Sequence, residues 1–192
     1  GTFGNDRFTG SDADESYRAS FGNNILDGGE GFDRLRYDGG DYWSGVDIDA
    51  VDGLVTDRGN PDLVDQISNF EWFRGSGADD RVAGGSADNW LQGEAGNDTV
   101  IGGGGDDTLE GGTGEDAFVI GAGGALIADF EVGTDSFDIV IDGVTDEDRD
   151  QALAGATAVT GGGAIVDFGN GNTLTFDNLT ETDLFDILKM PN

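Results

Sequence analysis

Gly102-Gly-Gly-Gly-Asp-Asp-Thr-Leu-Glu110 runs without a gap into Gly111-Gly-Thr-Gly-Glu-Asp-Ala-Phe-Val119. Three more nonads lead up to this pair, Gly75–Ala83, Gly84–Gln92 and Gly93–Ile101. Four others open the chain in the same register: Gly1–Thr9, Gly10–Arg18, Ala19–Asp27 and Gly28–Arg36. Self-similarity at a fixed short period is the mark of a solenoid, in which each repeat buries its apolar side chain only by stacking on its neighbours.

Within the nonad, position six holds Asp6, Glu15, Asn24, Asp33, Asp80, Asn89, Asp98, Asp107 and Asp116, each with a side-chain oxygen. Position eight holds Phe8, Tyr17, Leu26, Leu35, Val82, Leu91, Val100, Leu109 and Phe118, each apolar or aromatic. Positions one and four are Gly or Ala throughout, so the first six residues can turn sharply. The last three, such as Thr108-Leu109-Glu110, predict a short strand with its middle side chain inward. Two nonads then make a coil of 18 residues, with two narrow sheets facing each other across an apolar core.

Stacking at the strand spacing of about 4.8 Å sets acid above acid: Asp80 over Asp98, Asn89 over Asp107, Asp98 over Asp116. Two carboxylates at that distance repel by roughly 0.9 kcal/mol even at the dielectric constant of water. A divalent cation between the turns reverses the sign. Carboxylates and turn carbonyls are hard oxygen ligands in the number that suits calcium; magnesium demands a tighter octahedron and keeps its waters. Zinc and copper are poor fits to a chain without His or Cys. The candidate ligands are Asp6, Asn24, Asp33, Asp80, Asn89, Asp98, Asp107 and Asp116, with the turn glycines Gly29, Gly31, Gly96, Gly103, Gly105, Gly112 and Gly114.

These residues resemble the RTX family, whose repeat is GGxGxDxUx with U large and apolar. Gly102–Glu110, Gly111–Val119 and Gly28–Arg36 carry the resemblance most closely. It implies an all-β fold, a calcium-dependent parallel β-roll. It also implies a secreted, extracellular exoprotein of Gram-negative bacteria, exported by type I secretion machinery. The stretch Glu115–Ile120, then Ile127–Phe130, Asp135 and Leu174–Phe176 looks like the segment that follows the roll in secreted serralysin-type proteases and related exoproteins. Phe185-Asp-Ile-Leu188 resembles the ending of a type I export signal. Glu15, Asn24 and Asn89 at position six, and Ala13, Ala78 and Ala87 at position four, depart from the pattern.

The chain's 192 residues carry a net charge of −31. That excludes a nucleic-acid binder, which needs a basic footprint, and disfavours adsorption to anionic lipid. No apolar run is long enough for membrane insertion. With no Cys there is no disulfide framework, and bound calcium is expected to supply the cross-links, coupling metal binding to folding. Gly1 falls at the start of a repeat, so the sequence reads as a piece of a larger polypeptide.

Four regions follow. Residues 1–36 are the first roll block and 75–119 the second. The 38 residues between them are close to two coils, and 37–74 are expected to form wider coils without regular calcium turns. Strand signals there are Val46–Ala50, Leu54–Thr56 and Ile67–Trp72. Residues 120–192 predict a C-terminal β-rich cap and secretion-signal segment. Its strands are expected at 125–130, 137–141, 164–168 and 172–176, with turns at 161–163 and 170–172. One short helix is signalled by the capping box Thr145-Asp-Glu-Asp148 and runs to about Ala154.

Without His or Cys the chain itself cannot run Ser-His-Asp, Cys-His or HExxH chemistry, and its paired carboxylates sit in glycine turns, so the chain is read as non-catalytic. Asp47–Gly53 approaches an EF-hand loop, but the spacing is one residue too long and Arg58 stands where Glu is needed. The functional reading is a calcium-binding module that folds outside the cell and supports export and folding of a larger exoprotein. The alternative is a carbohydrate- or surface-binding module of an adhesin or polysaccharide-modifying enzyme, with Trp43, Trp72 and Trp90 as a platform for a glycan.

Overall fold

The computed structural model describes residues 4–39, 44–158, 163–179 and 183. In the repeat blocks each nonad ends in a short strand whose central residue points inward and whose flanks face outward. The first block gives β1 (Arg7–Thr9), β2 (Ser16–Arg18), β3 (Ile25–Asp27) and β4 (Arg34–Arg36). The middle segment gives β5 (Val46–Asp49), β6 (Leu54–Asp57), β7 (Val64–Ser68) and β8 (Trp72–Arg74). The second block gives β9 (Arg81–Ala83), β10 (Trp90–Ala95), β11 (Thr99–Ile101), β12 (Asp107–Thr113) and β13 (Ala117–Ile120). Then follow β14 (Gly124–Ile127), β15 (Ser136–Ile139), α1 (Asp146–Ala154), β16 (Thr157–Ala158), β17 (Ala164–Gly169) and β18 (Asn172–Phe176).

Alternate strands of the roll go to opposite sheets. One sheet has the order β1-β3-β7-β6-β5-β9-β11-β13-β15, the other β16-β17-β18-β14-β12-β10-β8-β4-β2. Parallel partners in the blocks are 18 residues apart, as in Phe8 with Leu26, Leu91 with Leu109 and Val100 with Phe118. The coil length expected from the nonad is therefore the coil length observed. Leu35, Val82, Leu91, Val100, Leu109 and Phe118 are wholly buried between the sheets, while Phe8 and Tyr17 at the outer end are half-buried and lie with ring centroids 4.7 Å apart.

Residues 37–74 differ from the expectation of two wider coils. Only β8 enters the second sheet, parallel to β4 and β10. The first sheet instead receives an antiparallel meander: β7 lies beside β3, β6 returns, and β5 reaches β9. A parallel solenoid advances one strand per sheet per coil, whereas this segment adds three strands to one sheet and one to the other. The strand signal expected over Ile67–Trp72 divides between β7 and β8, with Asn69 at φ 55 turning the chain between them.

The roll also runs further than the last nonad. β14 stacks on β12 and β15 on β13, both parallel, so residues 124–139 form another coil. The covering structure begins after it. β17 and β18 form the expected hairpin around Asn170-Gly171, and β18 lies parallel on β14. The helix has Thr145 as N-cap, with the reciprocal Thr145–Asp148 capping box. Arg149 on it bonds the carbonyl of Ile139 at 3.1 Å, tying the helix to the end of the first sheet. The turn expected at 161–163 and the export-signal stretch at 185–188 lie wholly or mostly outside the described residues, as does Trp43. Among the described residues no helix is long and apolar enough to cross a membrane.

Candidate metal turns

Stacked coils line up the position-six residues in two columns, one along each side of the roll. On one side Asp80 N–H donates to Asp98 Oδ1 at 2.7 Å, Asp98 N–H to Asp116 Oδ1 at 2.9 Å, and Asp116 N–H to Asp135 Oδ1 at 3.1 Å. The same column opens with Asp6 N–H on Asn24 Oδ1 and Asn24 N–H on Asp65 Oδ1. On the other side Glu15 N–H donates to Asp33 Oδ1, Asp33 N–H to Glu71, and Asn89 N–H to Asp107 Oδ1. Each acid thus spends one oxygen on the backbone of the coil before it. That charge-assisted bond offsets part of the repulsion that stacking imposes.

A second ladder was not anticipated from the sequence. It uses position five and runs in the opposite direction: Asn23 N–H donates to Asn5 Oδ1, Asn97 N–H to Asp79 Oδ1 and Asp106 N–H to Asp88 Oδ1. The signal was present, since position five is Asn, Asp or Glu in every nonad except that of Phe32. Asp135 and Asp65 also escaped the nonad pattern, because each joins a column from a segment with a different local sequence.

The second oxygen of each acid separates the turns into two kinds. Oδ2 of Asp33, Asp98 and Asp116 is buried without a hydrogen-bond partner. Asp80 differs, because Ser76 at position two of its nonad donates its N–H to Oδ2 at 2.5 Å and its hydroxyl to Oδ1 at 2.8 Å. Ser11 bonds Glu15 in the same way. Ser20 donates its hydroxyl to Asp6 Oδ2 at 2.8 Å. The amide at Asn89 is satisfied by Gly85 N–H at 2.8 Å.

Glycine is required where these oxygens crowd the turn. A Cβ on Gly93 would lie 2.3 Å from Asp98 Oδ2, and one on Gly111 2.3 Å from Asp116 Oδ2. All seven turn glycines singled out as carbonyl donors have positive φ, from 98° at Gly103 to 143° at Gly114. Ala13, Ala78 and Ala87 at position four are not among the positive-φ residues, so their turns are shaped differently.

Burial pushes the carboxyl of Asp98 up to about 7, helped by the charges of Asp80 and Asp116, and that of Asp107 up to about 6, helped by Asp88 and Asp106. Asp33, Asp80 and Asp116 are raised as well, again chiefly by desolvation. Among the described residues no three acids converge on one point, so a cation here must draw on backbone carbonyls as well as on the column acids. A buried, unpartnered, hard oxygen beside glycine carbonyls fits a divalent ion of the calcium kind.

The outer face of the second sheet holds Trp72 and Trp90 stacked at 4.1 Å and 3° between planes. The guanidinium of Arg34 lies 3.9 Å from the Trp72 centroid. Since β4 and β10 flank β8 on opposite sides, both faces of Trp72 are covered, and a sugar ring has no face of it to stack on.

The fold and its turns define a parallel β-roll whose glycine bends offer oxygens to a cation. The RTX calcium-binding nonapeptide repeat matches the chain in four copies, over residues 1–24, 9–42, 74–109 and 83–118. The chain carries RTX repeats, non-catalytic units of calcium-binding modules found in secreted proteins, and calcium is the ion they take. No curated protein matches it. Among solved structures, the extracellular lipase LipA from Serratia marcescens aligns with a TM-score of 0.36 at 20% identity, over 95% of this chain and 38% of the lipase. The chain therefore spans well under half of that protein's length.

Proposed function

We propose that the chain is a folding module that stays loose where calcium is scarce and closes into the roll where calcium is plentiful, outside the cell. The ligands are assigned to Asp98 and Asp116 on one side and Asp33 and Asp107 on the other. The carbonyls of Gly29, Gly31, Gly96, Gly103, Gly105, Gly112 and Gly114 complete the set. The observation that carries this is the buried Oδ2 of Asp33, Asp98 and Asp116, which has no protein donor. A bare buried carboxylate oxygen costs several kcal/mol unless a charge answers it, so metal binding becomes folding free energy. Asp6, Asp80, Asn24 and Asn89 are columnar but answered by protein groups, so they are assigned to the ladder before the ion.

A chain of net charge −31 that repels itself without metal suits threading through a type I export channel, and folding on arrival would favour release. On this reading the module serves a larger exoprotein whose activity lies elsewhere. Circular dichroism after EDTA treatment and again after calcium addition tests it. Strand signal should fall in EDTA and be restored by calcium, and an unchanged β-rich spectrum in EDTA would overturn the proposal.

A further inference from the structure

At one level of the roll a tyrosine hydroxyl meets the second oxygen of a column acid. The column that runs through Asp98 and Asp116 reaches the middle segment at Asp65, which is 3% exposed. Its Oδ1 accepts the backbone N–H of Asn24 at 2.8 Å and the Asn24 side-chain amide at 2.7 Å. Its Oδ2, the atom left bare at Asp98 and Asp116, accepts the hydroxyl of Tyr37 at 2.7 Å. Tyr37 is 1% exposed and comes from beyond the last nonad of the first block.

Three features of this level go together. Position six of the nonad beneath is an amide, Asn24, so one of the two stacked charges is gone. The residues before Asp65 are Arg58-Gly-Asn-Pro-Asp-Leu-Val64, which lack the paired glycines that open a regular nonad such as Gly102–Glu110. The strand that follows, β7, belongs to the antiparallel meander and so draws its pairing from β6 as well as from β3.

We propose that Tyr37, Asp65 and Asn24 form a metal-free lock, a hydroxyl and an amide substituting for calcium. On this proposal the middle segment folds without the ion and divides the roll into two calcium-dependent ends. The lock rests on the calcium reading of the nonad turns, because it is defined by contrast with them. Its consequence is an order of assembly: β3, β8 and the meander hold when calcium is withdrawn, and present strand edges on which each block re-forms when calcium returns.

Hydrogen exchange followed by mass spectrometry on the whole chain, in calcium and in EGTA, tests this. In EGTA, amides of residues 64–74 should keep protection while those of 93–119 exchange freely. Tyr37→Phe should lower the EGTA protection of 64–74 by about 10-fold or more, the worth of one bond to a buried charge, while 93–119 stays protected in calcium. Should that variant fail to fold, Asp65→Asn serves instead. An amide there can still accept from Asn24 and donate to the tyrosine oxygen, so protection of 64–74 should survive, whereas Asp98→Asn should need about 10-fold or more calcium to protect 93–119. Free exchange of 64–74 in wild-type chain under EGTA overturns the lock alone. Protection of 93–119 under EGTA overturns the calcium reading, and the contrast with it.

Discussion

The backbone N–H of Asp98 donates to Asp116 Oδ1 across 2.9 Å, while Asp98's own Oδ1 receives the N–H of Asp80 at 2.7 Å. One side chain therefore does two separable things: its first oxygen links coils, and its second stands bare toward the turn. Asparagine keeps the first role and loses the second. Asp98→Asn should retain the roll in saturating calcium but bind the ion about 10-fold or more weakly, since ligand charge sets affinity in such sites. Asp98→Ala should in addition cost about 1–3 kcal/mol, because the Asp80 amide is then buried unpaired. Calcium titration by calorimetry, with urea melts of both variants, separates the two roles.

The pH response should change sign with the metal. Burial, then the charges of Asp80 and Asp116, raises Asp98 to about 7, and Asp107 is raised to about 6, from an ordinary value of 3.8. In the metal-free roll these groups favour folding below pH 3.8, and that contribution is lost as pH climbs toward 7. With calcium the ion displaces the proton, so affinity rises over the same range. Residual strand signal in EDTA should be higher at pH 5 than at pH 8, whereas the urea midpoint in calcium should be higher at pH 8.

Crowding at the turns predicts where a methyl group is tolerated. At Gly103, φ is 98° and an added Cβ would lie 2.3 Å from the carbonyl oxygen of Gly85. Gly103→Ala should cost roughly 1–3 kcal/mol from backbone strain alone. Gly77 has open space around it and no positive φ, so Gly77→Ala should leave the melt unchanged within error.

The Trp72–Trp90 stack is a reporter of assembly, since it forms only when β8 and β10 are in register. Trp90→Ala should remove about 1 kcal/mol beyond the lost contact area. It should also abolish the exciton couplet of the stacked indoles in far-ultraviolet circular dichroism. In the wild type that couplet should appear with calcium at the same midpoint as the strand signal.

Much of this was legible in the residues alone. The period gave the 18-residue coil, the inward column from Leu26 to Phe118, and the acid columns, because every one of these depends on spacing within a repeat or between adjacent repeats. The capping box at Thr145 and the hairpin at Asn170-Gly171 were equally local. The middle segment was not. Val46, Leu54 and Val64 start strands of ordinary pattern, and nothing in that pattern says that β5 must cross to β9 while β7 stays beside β3.

What the sequence determined by itself was the solenoid and the set of oxygens a cation can reach, since short-range periodicity fixes both turn and strand. Tertiary structure alone decided which oxygens remain for the ion. Ser76 answers Asp80 from four residues away within its own turn, yet Tyr37 answers Asp65 from 28 residues away, and Asp135 joins the column 19 residues beyond Asp116. Hydrogen-bond satisfaction of a buried acid depends on which donors the folded chain brings to it, and those donors lie at no fixed interval along the chain.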